Sequence, residues 1–262
     1  MPSPALALHG VTKRFGGLAV SDDIRFEVPS GARMALIGPN GAGKTTLFNL
    51  ISGVYKLDDG SILLDGKPIH ALPPRRRVRA GLSRSFQNIR LMPHLSVVEN
   101  IMLGQHTLAS GPGALLAPLA WQRKSKWREQ AEASMRNAGI DVDPDASVNG
   151  LPYGVRKKIE VVRALMSRPR LLMLDEPAAG LNPRETVELS GFLKSVAWDG
   201  LTMLVVEHDM AFVHDLCERT VVLNFGRLIY DGPTRDVQED VEVRTAYLGN
   251  RRVATNGGGR AA

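Results

Sequence analysis

The sequence predicts an α/β fold with a mixed, largely parallel core sheet, an antiparallel β subdomain and an inserted α-helical subdomain. Two apolar runs, 171–175 and 201–209, flank a helical stretch at 183–197, and this order of strand, helix and strand implies parallel neighbours. A third run, 34–38, has four consecutive apolar residues before a glycine, which is typical of a strand buried on both faces. Alternation of apolar and polar residues nearer the N-terminus indicates half-buried antiparallel strands.

Turn signals delimit the elements at both ends of the chain. Segments 5–15 and 23–31 carry the alternating pattern, and the second ends in a Pro-Ser-Gly turn. The stretch 44–53 spaces its leucine and isoleucine side chains along one helix face and stops at Gly53, a residue suited to a helix C-terminus. Towards the other end, a hairpin is predicted to turn at 224–226.

Helical segments separated by Pro and Gly dominate residues 87–150, which we interpret as the inserted helical subdomain. Residues 1–86 and 151–250 then form the core with the antiparallel β subdomain, so that 1–250 is a single domain. The Gly-rich tail, 251–262, is expected to be disordered.

Composition limits the class of protein. With 262 residues, 44% of them hydrophobic and 23% charged, the chain is large enough for one compact domain and too apolar to be disordered. The single cysteine, Cys217, excludes an internal disulfide framework and Cys-rich metal sites, and it fits a reducing compartment such as the cytosol. The N-terminus has no secretory signal pattern, and Gly and Pro interrupt the uncharged stretch 100–122, which makes it a poor membrane span.

The chain is basic, with 33 Lys and Arg against 27 Asp and Glu and a formal net charge of +6. Such a charge fits nucleic acid, an anionic membrane surface or a phosphate ligand, and net charge alone does not choose among them. The run Arg75, Arg76, Arg77 and Arg79 predicts a solvated helix face, with contact to anionic headgroups or acidic loops of a partner as the alternative.

A phosphate-binding loop follows the buried strand. A glycine, four residues and then Gly-Lys-Thr match the P-loop pattern in Gly38, Pro39, Asn40, Gly41, Ala42, Gly43, Lys44, Thr45 and Thr46. Glycines let backbone N–H groups converge on phosphate oxygens, and the following helix adds unpaired donors and a positive dipole end. We expect Lys44 to reach the β- and γ-phosphates and Thr45 to ligate Mg²⁺.

Acidic residues and a histidine follow two later strands. Asp175 and Glu176 end the apolar run at 171–175, which places both carboxylates at the C-terminal edge of the sheet, where α/β proteins bind ligands. Asp175 suits a Mg²⁺ contact, and Glu176 suits polarising an attacking water. His208 follows the next strand and is expected at the same edge if the two strands are neighbours.

Together these residues resemble the ATP-binding subunits of ABC transporters, which are P-loop NTPases, and the resemblance covers residues 6–249. It implies that Phe15 stacks on adenine, with Val20 as an apolar neighbour. It also implies that Gln87 contributes to the metal site and couples it to the helical subdomain, and that His208 senses the γ-phosphate.

The resemblance assigns two motifs that act across a dimer. The signature, which contacts ATP on the opposite subunit, corresponds to Leu151, Pro152, Tyr153, Gly154 and Val155. The dimer loop after the carboxylates corresponds to Gly180, Leu181 and Asn182, where Asn182 stands in place of the aspartate common in the wider family. Where that family commonly has Leu-Ser-Gly-Gly-Gln, Pro152 removes a hydroxyl and a backbone N–H, and Val155 removes a polar side chain. We therefore hypothesise a weakened half-site whose partner carries the fuller signature.

Within the family, FGGLAV, RSFQNIRLM, LDEPAAGLNP and VEHDM are similar to segments of the LivG-type ATPases of branched-chain amino acid importers. This resemblance implies an ATP hydrolase that uses ATP and Mg²⁺, pairs with a second ATP-binding subunit (a homologue or a copy of itself) and lies on the cytoplasmic face of the inner membrane. Two integral membrane permease subunits and a periplasmic solute-binding protein complete such systems, and no nucleic acid is expected. The segment 114–121 then packs against neighbouring helices or forms a groove for a helix of a membrane subunit.

Three alternatives stay open. The first is that the ATPase energises the transport of another solute, such as urea, an amide or an aromatic acid, since the ATPase does not itself touch the solute. The second is an ABC-type ATPase that acts on nucleic acid or ribosomes, although the sequence lacks the coiled-coil insertion, zinc-binding cysteines or second cassette usual in such proteins. The third is a regulatory module that binds ATP without turnover, and the intact Lys44, Asp175, Glu176 and His208 argue against it.

Overall fold

The computed structural model of the chain describes residues 3–85, 89–108, 126–197 and 200–247. The strands, in chain order, are β1 (Leu6–Phe15), β2 (Leu18–Val28), β3 (Arg33–Ile37), β4 (Asp59–Leu64), β5 (Lys67–Pro68), β6 (Leu82–Arg84), β7 (Leu171–Asp175), β8 (Thr202–Val206), β9 (Arg219–Asn224) and β10 (Arg227–Pro233). The helices are α1 (Lys44–Ser52), α2 (Pro74–Arg79), α3 (Val97–Met102), α4 (Lys126–Asn137), α5 (Tyr153–Leu165), α6 (Pro183–Ala197), α7 (Met210–Leu216) and α8 (241–247).

A six-stranded sheet in the order β10, β9, β3, β8, β7 and β6 forms the core. Parallel pairing joins the strands from β9 to β6, and β10 folds back antiparallel onto β9. The central strands are buried along nearly their whole length, which explains why they read as continuous apolar runs. Asp175 pairs with Val206, so β7 and β8 end at the same edge of the sheet. The predicted mixed, largely parallel core is confirmed.

A second, antiparallel sheet has the order β2, β1, β4 and β5. Between Ile24 and Val28 the side chains of β2 alternate between buried and exposed. This half-buried pattern matches a sheet with one face in the core and one in solvent, as the sequence predicts.

Alternate residues of the core strands enter two hydrophobic clusters. In β3, Met34 and Leu36 belong to the cluster that contains α1 and the antiparallel sheet, whereas Ala35 and Ile37 belong to the cluster built with α5, α6 and α7. The period of two along a strand accounts for this division. Helices α3 and α4 add their apolar side chains to the second cluster, beside α5.

Most predicted boundaries agree with the structure. Helix α6 spans the predicted residues, α1 ends at Gly53 with a φ of 83°, and the β9–β10 hairpin turns at 224–226. Strand β8 is shorter than the predicted 201–209. It ends at Val206, and the next residue, Glu207, accepts hydrogen bonds from the backbone N–H groups of Ala178 and His208 through its side chain.

Three sequence predictions lie outside the described residues, namely Gln87, the segment 114–121 and the tail 251–262. Among the helices of the described ranges, none is both long enough and apolar enough to cross a bilayer.

Arg77 corrects the interpretation of the arginine run as a solvated face. Arg75, Arg76 and Arg79 are exposed, but Arg77 is only 2% exposed. Its guanidinium donates hydrogen bonds to four backbone carbonyl groups, those of Leu50, Ile51, His70 and Leu72. Two of these carbonyls belong to the last turn of α1, whose C-terminal oxygens need partners from outside the helix. Arg77 therefore fixes the C-terminal end of the helix that follows the P-loop.

We expect Arg77→Met to lower the free energy of unfolding by about 2–4 kcal/mol, because buried carbonyl groups lose their donors. Arg75→Met makes the same chemical change at an exposed position of the same helix and should cost no more than about 0.5 kcal/mol. Urea unfolding followed by circular dichroism measures both variants. Equal midpoints for the two would contradict the assigned role.

Candidate functional site

The loop between β3 and α1 has a backbone that only glycine allows at two positions. A Cβ atom at Gly38 would lie 2.1 Å from the carbonyl oxygen of Leu223, and one at Gly43 would lie 2.6 Å from that of Val20. Gly43 has a φ of 103° and precedes α1 without a side-chain cap. The first N–H groups of α1 are therefore left for an anion, as in other phosphate-binding loops.

The Lys44 side chain folds back over this loop. Its ammonium donates to the carbonyl oxygens of Gly38, at 2.6 Å, and Pro39, at 3.1 Å. Burial lowers the pKa of Lys44, and the negative charges of Glu176 and Asp175 oppose that shift. The loop thus holds a buried positive charge that a phosphate ligand would stabilise.

Two distant segments support the loop from behind. In the β9–β10 turn, Gly226 donates its N–H to the Ala42 carbonyl at 3.0 Å and accepts from Asp22 N–H at 2.8 Å. Burial raises the pKa of the Tyr247 phenol in α8, and the nearby Gly38 N–H opposes that rise. The sequence gives no signal for either contact, because both join residues far apart along the chain.

A cavity of about 250 Å³ opens over the loop. Loop residues, one residue of β2 and two side chains from the sheet edge line it: Val20, Asn40, Gly41, Ala42, Gly43, Lys44, Thr45, Thr46, Glu176 and His208. The strand order therefore brings His208 to the edge that carries the carboxylates, as expected from the sequence.

Glu176 and His208 form a pair at this edge. Glu176 Oε1 and His208 Nε2 lie 2.8 Å apart. Glu176 has a φ of 48°, which is uncommon for a residue with a side chain and costs on the order of 1 kcal/mol or more. Its N–H donates to the Val206 carbonyl at 2.9 Å and so attaches the end of β7 to the end of β8. The strained backbone fixes a carboxylate and an imidazole together over the loop.

Asp175 is buried and paired with Arg84, which the sequence analysis missed. Arg84 Nη2 lies 2.7 Å from Asp175 Oδ2, and Arg84 Nη1 donates to Asn49 Oδ1 at 2.8 Å and Ser52 Oγ at 3.1 Å. Arg84 thereby connects the ends of β6 and β7 to α1. The sequence around Arg84 gives no clear signal for this role, because β6 is only three residues long and contains a single apolar residue.

The donor set at this edge fits Mg²⁺. The Asp175 carboxylate and the Thr45 hydroxyl are hard oxygen ligands of the kind this ion prefers. Thr45 is exposed at the start of α1, whereas the Asp175 side chain is 8% exposed. Gln87, the third predicted ligand, lies outside the described residues.

Phe15 lies at the end of β1 and is 43% exposed. Its ring meets Tyr55 edge-on, with the ring centroids 5.4 Å apart, and the Lys13 ammonium lies 5.3 Å from the ring centroid. Phe15 does not line the 250 Å³ cavity. An exposed aromatic face held from the side is suited to stacking on a flat ring.

The signature and the dimer loop pack against each other. A Cβ atom at Gly180 would lie 3.1 Å from the Tyr153 ring, and one at Gly154 would lie 2.5 Å from the Glu185 carboxylate. Glu185 in turn exchanges hydrogen bonds with Asn182, each side chain accepting from the other's backbone N–H at 3.0 Å. Asn182 thus caps α6 in this chain.

Three apolar residues of these motifs pack on the core: Leu151, Val155 and Leu181. Pro152 is the exposed residue that precedes α5. No residue of 151–155 or 180–182 is among the described residues that line the loop cavity.

Glu207 is a further residue that the sequence analysis missed. Its carboxylate is 3% exposed and accepts hydrogen bonds from the N–H groups of Ala178, at 2.7 Å, and His208, at 3.0 Å. Burial raises the pKa of Glu207, and the negative charge of Glu176 adds to the rise. The available signal is an acidic residue directly after four apolar residues of β8, 203–206.

Comparison with known proteins identifies a family and relatives whose sequences are similar to this chain. The family model described as "ABC transporter" matches residues 21–179. The chain is 37% identical over 253 residues to the high-affinity branched-chain amino acid transport ATP-binding protein BraF of Pseudomonas aeruginosa, covering 95% of this chain and 99% of that protein. It is 36% identical, with the same coverage, to the corresponding protein LivG of Escherichia coli.

Solved structures agree with the fold. A nucleotide-free ATP-binding cassette from an ABC transporter superimposes with a TM-score of 0.83 and 26% identity, covering 93% of this chain and 98% of that one. An ATP-binding cassette in its ADP conformation gives a TM-score of 0.80 and 27% identity, over 94% and 99% of the two chains.

Gly43→Ala should lower the affinity for ATP by about tenfold or more, because a Cβ atom strains the left-handed backbone and collides with the Val20 carbonyl. Gly66→Ala is the matched control, since Gly66 has a φ of 72° in a turn where a Cβ atom meets nothing within 4 Å. Calorimetric titration with ATP measures both. An unchanged affinity in Gly43→Ala would contradict the loop geometry.

Proposed function

We propose that this chain, which belongs to the ABC transporter family, is the ATP-hydrolysing subunit of an importer for branched-chain or related amino acids. The observation that carries the hydrolytic role is the Glu176–His208 pair, at 2.8 Å, facing a P-loop across one cavity. The named relatives, whose identity extends over nearly the whole chain, support the solute class.

The roles of the side chains follow from their positions. Lys44 and the N–H groups at the start of α1 bind the β- and γ-phosphates, while the hydrogen bond from Gly226 to Ala42 keeps the loop in shape. Glu176 orients the attacking water, and His208 holds Glu176 and contacts the γ-phosphate. Phe15 stacks on adenine, with Val20 beside the nucleotide.

Mg²⁺, when bound, neutralises charge that develops on the phosphate oxygens. Thr45 and Asp175 would hold it, with Gln87 as the third ligand and the link to the helical subdomain at 87–150. Arg84 keeps the Asp175 carboxylate oriented towards this position.

A second ATP-binding subunit completes each site. The signature at 151–155 and the dimer loop at 180–182 form one packed unit in this chain and lie outside its own phosphate cavity. Such a unit is suited to cover ATP on a partner, which is a homologue or another copy. ATP binding then closes the pair and hydrolysis reopens it, as a two-state element biased by the γ-phosphate.

The remaining partners follow from the importer role. Two membrane permease subunits and a periplasmic solute-binding protein complete the system, and the chain lies on the cytoplasmic face of the inner membrane. Urea, an amide or an aromatic acid is the alternative cargo, because residues of this chain do not contact the solute.

Glu176→Gln should reduce ATP hydrolysis by about a hundredfold or more while ATP binding persists, because the amide no longer accepts the proton of the water. In proteoliposomes with the permeases and the binding protein, the wild-type chain should drive ATP-dependent uptake of labelled leucine, and the variant should not. Glu129→Gln, at an exposed position of α4, is the control. Wild-type hydrolysis by Glu176→Gln would refute the catalytic role, and uptake of urea without leucine would refute the solute class.

Pro152→Ser tests the weakened half-site. Pro152 is exposed at the start of α5, so a serine there regains an N–H and a hydroxyl that can reach a partner's phosphate. The ATPase rate of the assembled transporter should rise about two- to tenfold. Val155 packs on the core, so Val155→Gln alone should give no gain. An unchanged rate in Pro152→Ser would remove the hypothesis.

A further inference from the structure

Glu207 is a buried carboxylate that belongs to none of the roles assigned above. It follows β8 directly, is 3% exposed and does not line the phosphate cavity. We infer that Glu207 is a positioning residue that joins the loop carrying Glu176 to the loop carrying His208, so that the two loops move as one unit. The inference rests on the roles proposed for Glu176 and His208.

Each oxygen of this carboxylate serves a different loop. Oε1 accepts from the Ala178 N–H at 2.7 Å, and Oε2 accepts from the His208 N–H at 3.0 Å. Hydrogen bonds to a charged acceptor are shorter and stronger than those between neutral groups, so this link is stiff.

The bonded residues are close in sequence to both catalytic side chains. Ala178 lies two residues after Glu176 and two before Gly180, and His208 carries its own bond to Glu207. A shift of His208 towards a γ-phosphate therefore pulls on the segment that leads to the dimer loop. Through Glu207, a movement of His208 in response to the nucleotide therefore also moves the dimer loop, which meets the partner.

The surroundings of Glu207 favour a fixed position. Lys157, on the helix that begins with the signature, is fully buried and feels the charges of Glu207 and Glu160. A buried carboxylate that accepts from two backbone N–H groups has no alternative partner in water, so breaking the link leaves unpaired groups in the interior.

Glu207→Gln is the decisive variant, because it keeps the shape of the side chain but places an NH₂ group against a backbone N–H. We expect kcat for ATP to fall by on the order of tenfold to a hundredfold, since Glu176 and His208 lose their alignment. The affinity for ATP should stay within about twofold, because Glu207 makes no bond to the P-loop. Glu27→Gln, the same change at an exposed position of β2, should alter neither value.

Hydrogen exchange gives a second readout that a general loss of stability would not mimic. In nucleotide-free Glu207→Gln, the amides of Ala178 and His208 should exchange about tenfold faster, while those of β3 and β7 keep wild-type protection. A wild-type kcat, or wild-type exchange at these two amides, would overturn the inference.

If Glu207→Gln is globally destabilised, hydrogen exchange of the wild-type protein tests the link between the two loops. During titration with ATP and Mg²⁺, protection of segments 176–182 and 207–209 should change together with one midpoint. Separate midpoints would overturn the inference. A failure of the role given to Glu176 would appear in Glu176→Gln and would leave the exchange pattern of the nucleotide-free protein unaffected.

Discussion

Parallel strands that are buried on both faces carry polar side chains mainly at or beyond their ends, and the candidate site follows largely from this constraint. β3, β7 and β8 are apolar along nearly their whole length, and polar groups lie at or just after the end of each: the P-loop after β3, Asp175 and Glu176 at the end of β7, and Glu207 with His208 after β8. Because the strands run in the same direction and end in register, these groups meet at one edge. If any one of the three strands ran in the opposite direction, the polar groups that follow it would lie at the opposite edge of the sheet.

Charge at that edge is balanced by neighbours drawn from elsewhere in the chain. Lys44 lies among neutral carbonyl oxygens with Asp175 and Glu176 nearby, Arg84 pairs with Asp175, and the buried Lys157 on the signature helix interacts with the charges of Glu160 and Glu207. Asp175, Glu176 and Glu207 thus each have a basic or N–H partner. These partners offset the repulsion between the carboxylates, which lie close together and are shielded from bulk water.

Local sequence patterns made much of the fold and of the candidate site predictable. The P-loop, the carboxylate pair and the strand and helix boundaries each depend on a few consecutive residues, and the structure places them as expected. Arg84, Glu207, Tyr247 and Arg77 act through contacts that span long separations in sequence, with backbone atoms or single carboxylates as partners. A linear pattern does not encode such pairings. It also misled at Arg77, because three exposed arginines around it have the composition of a solvated face.

The nine-residue helix α1 is held at both ends by opposite means. Its N-terminal N–H groups are open to an anion, and the Arg77 guanidinium binds two of its C-terminal carbonyls. In the proposed function, a bound phosphate would neutralise the remaining pole of the aligned peptide dipoles. Binding and folding are then thermodynamically linked through one element. A nucleotide present at a hundred times its Kd adds about 2.7 kcal/mol to the stability of the folded chain. A nucleotide bound at this loop would therefore also lower the fraction of the chain that is unfolded and open to proteolysis.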